Sequence, residues 1–459
     1  MPRKFNVAGP CRMGQHYLLP PLRRLPLVSS LVAGQHCFAI HAPQNTGKTT
    51  ALFALAAQLR AEGRFIAAAV SVETGAPYHD DIALAEGAIL SDWRQSLQDQ
   101  LPQDLQPPPW PDSQPGAGIG DALSAWCRAA PRPVVLLLDE IDALHATTLM
   151  AILRQLRDGF NRRPTSFPWA LALCGMRDVR DYKLAAGSED RSHGASPFNI
   201  KTESLTLRGF TAAEVAELYQ QHTDDTGQRF QPDALARAYE LTAGQPWLVN
   251  ALARQVTEVV VPERSRAITR ADIDAAKEAL IQRRDTHLDS LADKLHEPRV
   301  RRIIEPVLTG MDAPLDSLND DLLYARDLGL LAPDAPVRIA NPIYAEIIPR
   351  SLSFIAQEYL DQRAAWYLRD DGSLDMVLLL AAFQEFFAEH SEAWLARFQY
   401  QEAGPHLLLM AFLQRVVNGG GRIAREFAVG SGRADMVVEY GGRRAVIELK
   451  LRRGERTLQ

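Results

Sequence analysis

Residues 36–50, HCFAIHAPQNTGKTT, constrain this chain more than any other stretch. An apolar run, Cys37 to Ile40, reads as a buried strand and ends in a polar turn. Gly47-Lys48-Thr49-Thr50 then opens the helix-forming stretch ALFALAAQLRAEG. Loop and helix N-terminal N–H groups in that order converge on one point and favour an anion there. With Gly-Lys-Thr at the junction, the pattern is a phosphate-binding loop. Ala42, Pro43, Gln44, Asn45, Thr46, Gly47, Lys48, Thr49 and Thr50 form the expected nucleotide-binding segment. Lys48 is placed to reach the β- and γ-phosphates, and Thr49 to hold Mg²⁺ through its hydroxyl. Ala42 stands where the usual spacing has glycine, which the turn tolerates if that position keeps a negative φ. The alternative is an ordinary strand–turn–helix with a chance Gly-Lys-Thr, and only the rest of the chain separates the two.

The second constraint is PRPVVLLLDEIDAL. Val134 to Leu138 are all apolar, without alternation, as in a parallel strand covered on both faces. The run ends in Asp139-Glu140, at the strand end where open α/β sheets bind ligands. Asp139 is expected to hold the nucleotide's Mg²⁺, and Glu140 to orient or deprotonate an attacking water. An isolated acidic pair after an apolar run is often only a solvated strand end. Together with the upstream loop, the pair gives two features that agree.

Other strand-like runs are RFIAAAVSVE, WALALCGMRD and SLTL at 204–207. The third strand ends at Gly175-Met176-Arg177-Asp178, which puts Arg177 beside a γ-phosphate; pairing with Asp178 or Asp181 is the plainer alternative. Residues 100–119, LPQDLQPPPWPDSQPGAGIG, read as a long surface loop, and 185–200 as a polar, flexible one. In the lead-in, HYLLPPLRRLPLVSSLVAG, Tyr17 and Pro20 are weak candidates for the base by position only. From 208 the pattern turns helical. Thr211 and Glu214 form a capping box with Phe210 as its staple. Gly244-Gln245-Pro246 ends one helix and begins the next, and Pro246 is a candidate contact to base or ribose. Arg157, Arg162, Arg163 and Arg180 are all eligible as an arginine finger, and none stands out.

Residues 291–352 read as helix, short strand and helix, which fits a winged-helix module. Its would-be recognition stretch NDDLLYARDLGLL is acidic, favouring packing or partner binding over DNA reading. Beyond it come the helices SLDMVLLLAAFQEFFAEHSEAW and GPHLLLMAFLQRVVNGG, then the strand-like segments IAREFAV, ADMVVEY and RRAVIELKL. Asp435 begins one strand. Glu448 and Lys450, two apart, share a face on the next. Asp followed by Glu-x-Lys is a metal-dependent nuclease pattern in which carboxylates hold Mg²⁺ and the lysine steadies water or phosphate. Glu426 is a further carboxylate, and nearby arginines could line a phosphate groove. A hairpin with a charged, solvated face accounts for the same spacing.

The chain resembles the bacterial AAA-like P-loop ATPases, of the signal-transducing branch, joined to a C-terminal PD-(D/E)XK nuclease-like domain. HAPQNTGKTTAL, VVLLLDEIDAL, LCGMRDVRDYK, AGQPWLVNALA, NPIYAEIIPR and the segment from AFLQRVVNGGG to VIELKL carry the resemblance. It implies an α/β P-loop NTPase sheet with a helical lid, a winged-helix module and an α+β restriction-endonuclease-like domain. The expected boundaries are 1–207, 208–290, 291–352 and 353–459. The resemblance assigns catalytic roles to Glu140, Lys48 and Arg177, and nucleotide contacts to the loop and Pro246. ATPase Mg²⁺ falls to Thr49 and Asp139, and a nuclease-like site to Glu426, Asp435, Glu448 and Lys450, with metal on Asp435 and Glu448. ATP and Mg²⁺ are the implied cofactors. Nucleic acid is a candidate partner of the last domain, and a homo-oligomer a candidate assembly. The chain stops soon after Lys450, before the helix such domains usually add, so an incomplete nuclease core is expected. The competing expectation is a nucleotide-gated signalling or assembly protein that cuts nothing.

A net charge of −6 argues against a globally basic nucleic-acid binder, though not against a local basic groove. No apolar run approaches the ~18 residues of a membrane span, and MPRKFNVAGP has no secretory apolar core. With four scattered cysteines and no metal-like spacing, a cytoplasmic chain without a membrane partner is expected.

Overall fold

The computed structural model describes residues 3–177, 201–283, 294–295, 297–309, 319–352, 368–369, 373–395, 409, 413, 421–429, 432–440 and 443–448. Two compact units emerge. The first is Met1–Leu280 with Asp327–Gly329, and the second is Ile281–Arg326 with Leu330–Gln459.

In the first unit five parallel strands form one sheet. They are β1 (Cys37–His41), β2 (Ile66–Ser71), β3 (Val134–Asp139), β4 (Ala170–Gly175) and β5 (Lys201–Thr206), in the order β2-β3-β4-β1-β5. Every residue of β3 and β4 is buried, because both faces are covered. Leu136, Leu138, Leu171 and Leu173 pack with α3 (Ile82–Gln100), α4 (Gly118–Ala129) and α5 (Ala146–Gly159). The alternate residues Val135, Leu137, Ala170 and Ala172 pack with α1 (Val28–Ala33) and α2 (Lys48–Ala61). Two covered faces explain a continuous apolar run without alternation.

The stretch between β2 and residue 100 carries no expectation from the sequence. The stretch before residue 100 is a 19-residue helix, capped by Asp81 accepting from the Leu84 N–H. The 100–119 segment runs over the surface as a loop for most of its length, as expected, but it is pinned to the body. Leu105 is buried, Trp110 donates to the Leu90 carbonyl at 2.8 Å, and Trp126 donates to the Leu105 carbonyl at 3.3 Å.

The helical region of this unit holds α6 (Ala212–Thr226), α7 (Pro232–Thr242), α8 (Pro246–Gln255) and α9 (Arg270–Arg283). The Thr211/Glu214 capping box is complete at the start of α6. The lead-in is fastened to these helices. Gln221 exchanges hydrogen bonds with the Leu18 backbone, Arg3 pairs with Asp225 at 2.7 Å, and Trp247 donates to the Val7 carbonyl at 2.9 Å.

The second unit contains the helices Pro298–Thr309, Pro342–Leu352 and Met376–Leu395 and an antiparallel bridge, Leu331 to Ile339. It also contains a three-stranded antiparallel sheet of β6 (Gly421–Val429), β7 (Gly432–Tyr440) and β8 (Arg443–Ile447). Among the described residues no helix is long and apolar enough to cross a membrane.

Candidate functional site

The site is built where β1 hands over to α2. Only two loop positions take positive φ, Asn45 at 58° and Gly47 at 96°. Ala42 is therefore not in the conformation that demands glycine, and it sits buried, donating its N–H to the Gly175 carbonyl at 3.2 Å. The Thr46 hydroxyl closes the turn on the Pro43 carbonyl at 2.7 Å. Lys48 folds back over the loop, its Nζ donating to the carbonyls of Ala42 (2.8 Å) and Pro43 (3.0 Å). Its charge is thereby held over the loop's centre.

From the other side come the ends of β3 and β2. Asp139 Oδ2 accepts from the Thr49 hydroxyl at 2.6 Å, and its Oδ1 accepts the Glu140 N–H at 3.0 Å. Glu140 turns sharply, with φ 55°, a left-handed conformation uncommon for a residue with a Cβ and typical of functional sites. Its Oε2 accepts from the Ser71 hydroxyl at 2.8 Å. Burial pushes the Glu140 carboxyl above the ordinary glutamate range, the Glu73 and Asp142 carboxylates push it further, and Ser71 opposes them.

These groups line a cavity of about 550 Å³, within the size range of small-ligand sites. Its wall includes Gln44 to Thr50, Glu73, Asp139, Glu140 and Asp142 from the sheet edge, and Phe210, Pro246, Trp247 and Asn250 from the helical region. The lead-in supplies Asn6 to Cys11, Tyr17 and Pro21. Tyr17 also packs on Phe5, ring centroids 4.7 Å apart, whereas Pro20 is exposed and not part of the wall.

Arg177 is not among the lining side chains. It is buried, and its Nε donates to Asp327 at 3.0 Å, so the arginine expected beside the γ-phosphate is held elsewhere; Met176 takes the wall position. Of the arginine-finger candidates, Arg157, Arg162 and Arg163 do not line the cavity either, and Arg180 lies outside the described residues.

Sequence reasoning missed Arg24, which lines the cavity and is 9% exposed. Two adjacent arginines in a turn carry no signal telling the buried one from the exposed one. It also missed Ser71 and Trp247. Ser71 closes a strand run whose end, beside β3, marked the same sheet edge.

In the second unit the expected nuclease-like residues fall on the three-stranded sheet. Arg425 pairs with Met436 and Phe427 with Ala434, so Glu426 and Asp435 hold facing positions on β6 and β7. Met436 pairs with Ile447, which sets Glu448, immediately past β8, in the same row. Lys450 lies outside the described residues.

Residues 32–182 match a family model described as an AAA domain. No curated protein matches the chain by sequence. Among solved structures, a Walker-type ATPase of Pyrococcus abyssi aligns over 75% of this chain and 99% of its own at 11% identity, TM-score 0.51. The ORC1 protein of Aeropyrum pernix aligns over 75% and 97% at 16% identity, TM-score 0.37. The Cdc6p protein of Pyrobaculum aerophilum aligns over 74% and 94% at 13%, TM-score 0.41. The parallel sheet, its loop and the match of residues 32–182 to an AAA domain together show a P-loop ATPase fold.

Proposed function

We propose that this chain binds Mg·ATP in the 550 Å³ cavity and hydrolyses it, and that nucleotide state is coupled to a C-terminal nuclease-like domain. The observation that carries the first part is the Thr49 hydroxyl bonded at 2.6 Å to Asp139, with Lys48 and Glu140 on the same cavity wall. A hydroxyl and a carboxylate are the hard oxygen donors Mg²⁺ takes from P-loop proteins, the substrate phosphates and water completing its shell. Thr49 and Asp139 would hold the ion, which neutralises charge building on the phosphates.

The protein's own groups supply the rest. Loop N–H groups cradle the phosphate chain, and Lys48 exchanges its two carbonyl partners for β- and γ-phosphate oxygens. Ser71 fixes Glu140 through Oε2, and the carboxylate takes a proton from the attacking water as the bond to the leaving ADP breaks. Pro246 and Trp247 close the cavity at the lid and give the base an apolar contact.

ATP turnover and ATP binding, measured side by side, test this. Wild type should hydrolyse ATP. Glu140→Gln should bind it normally and lose about 10²- to 10⁴-fold in turnover, the usual weight of a general base. Lys48→Ala should lose binding. Tight binding by Lys48→Ala would remove the site assignment, and binding without turnover in wild type would leave a nucleotide-gated signalling or assembly protein.

The nuclease-like reading is supported by the row of Glu426, Asp435 and Glu448 across neighbouring strands. With Lys450 these are the residue types that hold Mg²⁺ and position water at a scissile phosphate. Plasmid and single-stranded DNA incubated with Mg²⁺ or Mn²⁺ should be cut by wild type and not by Asp435→Ala. Equal cutting by both removes the site.

A further inference from the structure

Arg24 is a buried cation with no ion-pair partner among the described residues. It sits in the short 3-10 turn Pro21–Arg24 and is 9% exposed, yet no carboxylate among the described residues is within ion-pairing distance. One guanidinium nitrogen, Nη1, makes both of its hydrogen bonds, to the Thr46 carbonyl at 3.0 Å and the Arg208 carbonyl at 2.8 Å. The guanidinium plane lies over the Phe210 ring, 4.8 Å from its centroid. Among the described residues Nε and Nη2 have no acceptor, neither is a fully buried atom, and the residue lines the cavity. Burial pulls its pKa down to about 10, still far above neutrality, so the charge stays.

A permanently charged fork that keeps two nitrogens unspent on protein acceptors and borders a cavity is placed to meet an anionic ligand there. Its placement says which ligand. A Cβ added at Gly47 would come within 3.1 Å of Nη2, so the free side of the fork lies against the turn that enters α2. The Thr46 carbonyl and the Gly47 N–H belong to one trans peptide and point opposite ways. By holding that carbonyl, Arg24 fixes the orientation of this peptide at the entry to α2. This is the part of such a loop that cradles the α- and β-phosphates, whereas the lysine reaches β and γ.

We propose that Arg24 is a positioning and binding residue for the α- and β-phosphates of the nucleotide, a second fixed cation beside Lys48. It serves ADP and ATP alike, and through the Arg208 carbonyl and Phe210 it ties the phosphate-bound loop to the start of the lid. This rests on the ATP-binding reading above. It differs from a γ-phosphate sensor because its effect does not depend on the third phosphate.

The test is calorimetric titration of the full chain with ADP, a β,γ-imido ATP analogue and adenosine, using wild type, Arg24→Gln and Arg24→Lys. Loss of one charge-assisted bond pair should weaken both nucleotides by the same factor, about 10- to 100-fold, and leave adenosine unchanged. Arg24→Lys keeps the charge but cannot hold the Thr46 carbonyl and a phosphate together, so it should fall between. The proposal is overturned if Arg24→Gln binds ADP as wild type does, if adenosine weakens in the same proportion, or if only the analogue weakens. Should Arg24→Gln fail to fold, Arg24→Lys decides: ADP affinity equal to wild type overturns the proposal. A wild type that binds no nucleotide would instead sink the ATP-binding reading itself.

Discussion

At the scale of single residues, Glu140 shows how position and environment set chemistry together. A water-activating glutamate works only when ionised, and burial among Glu73 and Asp142 opposes ionisation. Activity should therefore fall on the acid side at a pH above the ordinary glutamate value of 4.5. Ser71 favours the carboxylate by donating to it at 2.8 Å. Removing that donor in Ser71→Ala should raise the Glu140 pKa further and move the acid limb of kcat/KM to higher pH. A pH–rate profile reads this, and an unmoved limb in Ser71→Ala would take the general-base role away from Glu140. The sequence made Asp139 and Glu140 legible because a strand end forces them to one edge of the sheet. It hid Arg24, whose burial depends on three segments, residues 46, 208 and 210, closing round it in space. Arg177 was misplaced for the opposite reason. Its strand was read correctly, but one side chain past a strand end can turn into the cavity or away, and here it turns to Asp327.

At the scale of elements, legibility followed the strength of the local rule. The strands β1, β3 and β4 were plain because a doubly covered strand must be apolar throughout. Helix α3 escaped notice although its buried residues Ala85, Ile89, Trp93 and Leu97 recur at intervals of four. Its other positions are polar enough to resemble the loops around it. Helix α6 was the clearest, since its capping box is written in four consecutive residues. Thr211→Ala should cost about 1 kcal/mol, read as a lowered urea midpoint. Glu214 adds a pH signature. Arg208, bonded to it at 2.6 Å, and the Thr211 N–H hold its carboxyl down to about 2, from 4.5. A carboxyl whose folded pKa is depressed stabilises above the unfolded value and loses that contribution as pH falls through the folded one. Stability from this group should be complete above about pH 4.5 and gone near pH 2. Glu214→Gln should be less stable at pH 7 and converge with wild type near pH 2. A constant gap between them across that window would deny the pair its role.

At the scale of the whole molecule, every residue lining the cavity lies between Asn6 and Asn250, inside the first compact unit. A fragment ending at Leu352 holds the entire wall, keeps Asp327 with Arg177, and should fold and bind ATP by itself. Its affinity bears on the coupling reading. If ATP shifts the state of the C-terminal part, linkage requires that part to shift ATP affinity by the same factor. Couplings between sites usually amount to about 5- to 150-fold. The full chain and the fragment should therefore differ in ATP dissociation constant by at least about fivefold, in either direction. Titration of both with the non-hydrolysable analogue measures the factor directly and needs no knowledge of what the C-terminal part does. Equal affinities would mean that no free energy passes between nucleotide and C-terminal sheet. The row of Glu426, Asp435 and Glu448 would then act, if at all, without regard to ATP, and the coupled reading would have to be given up even if both activities were found.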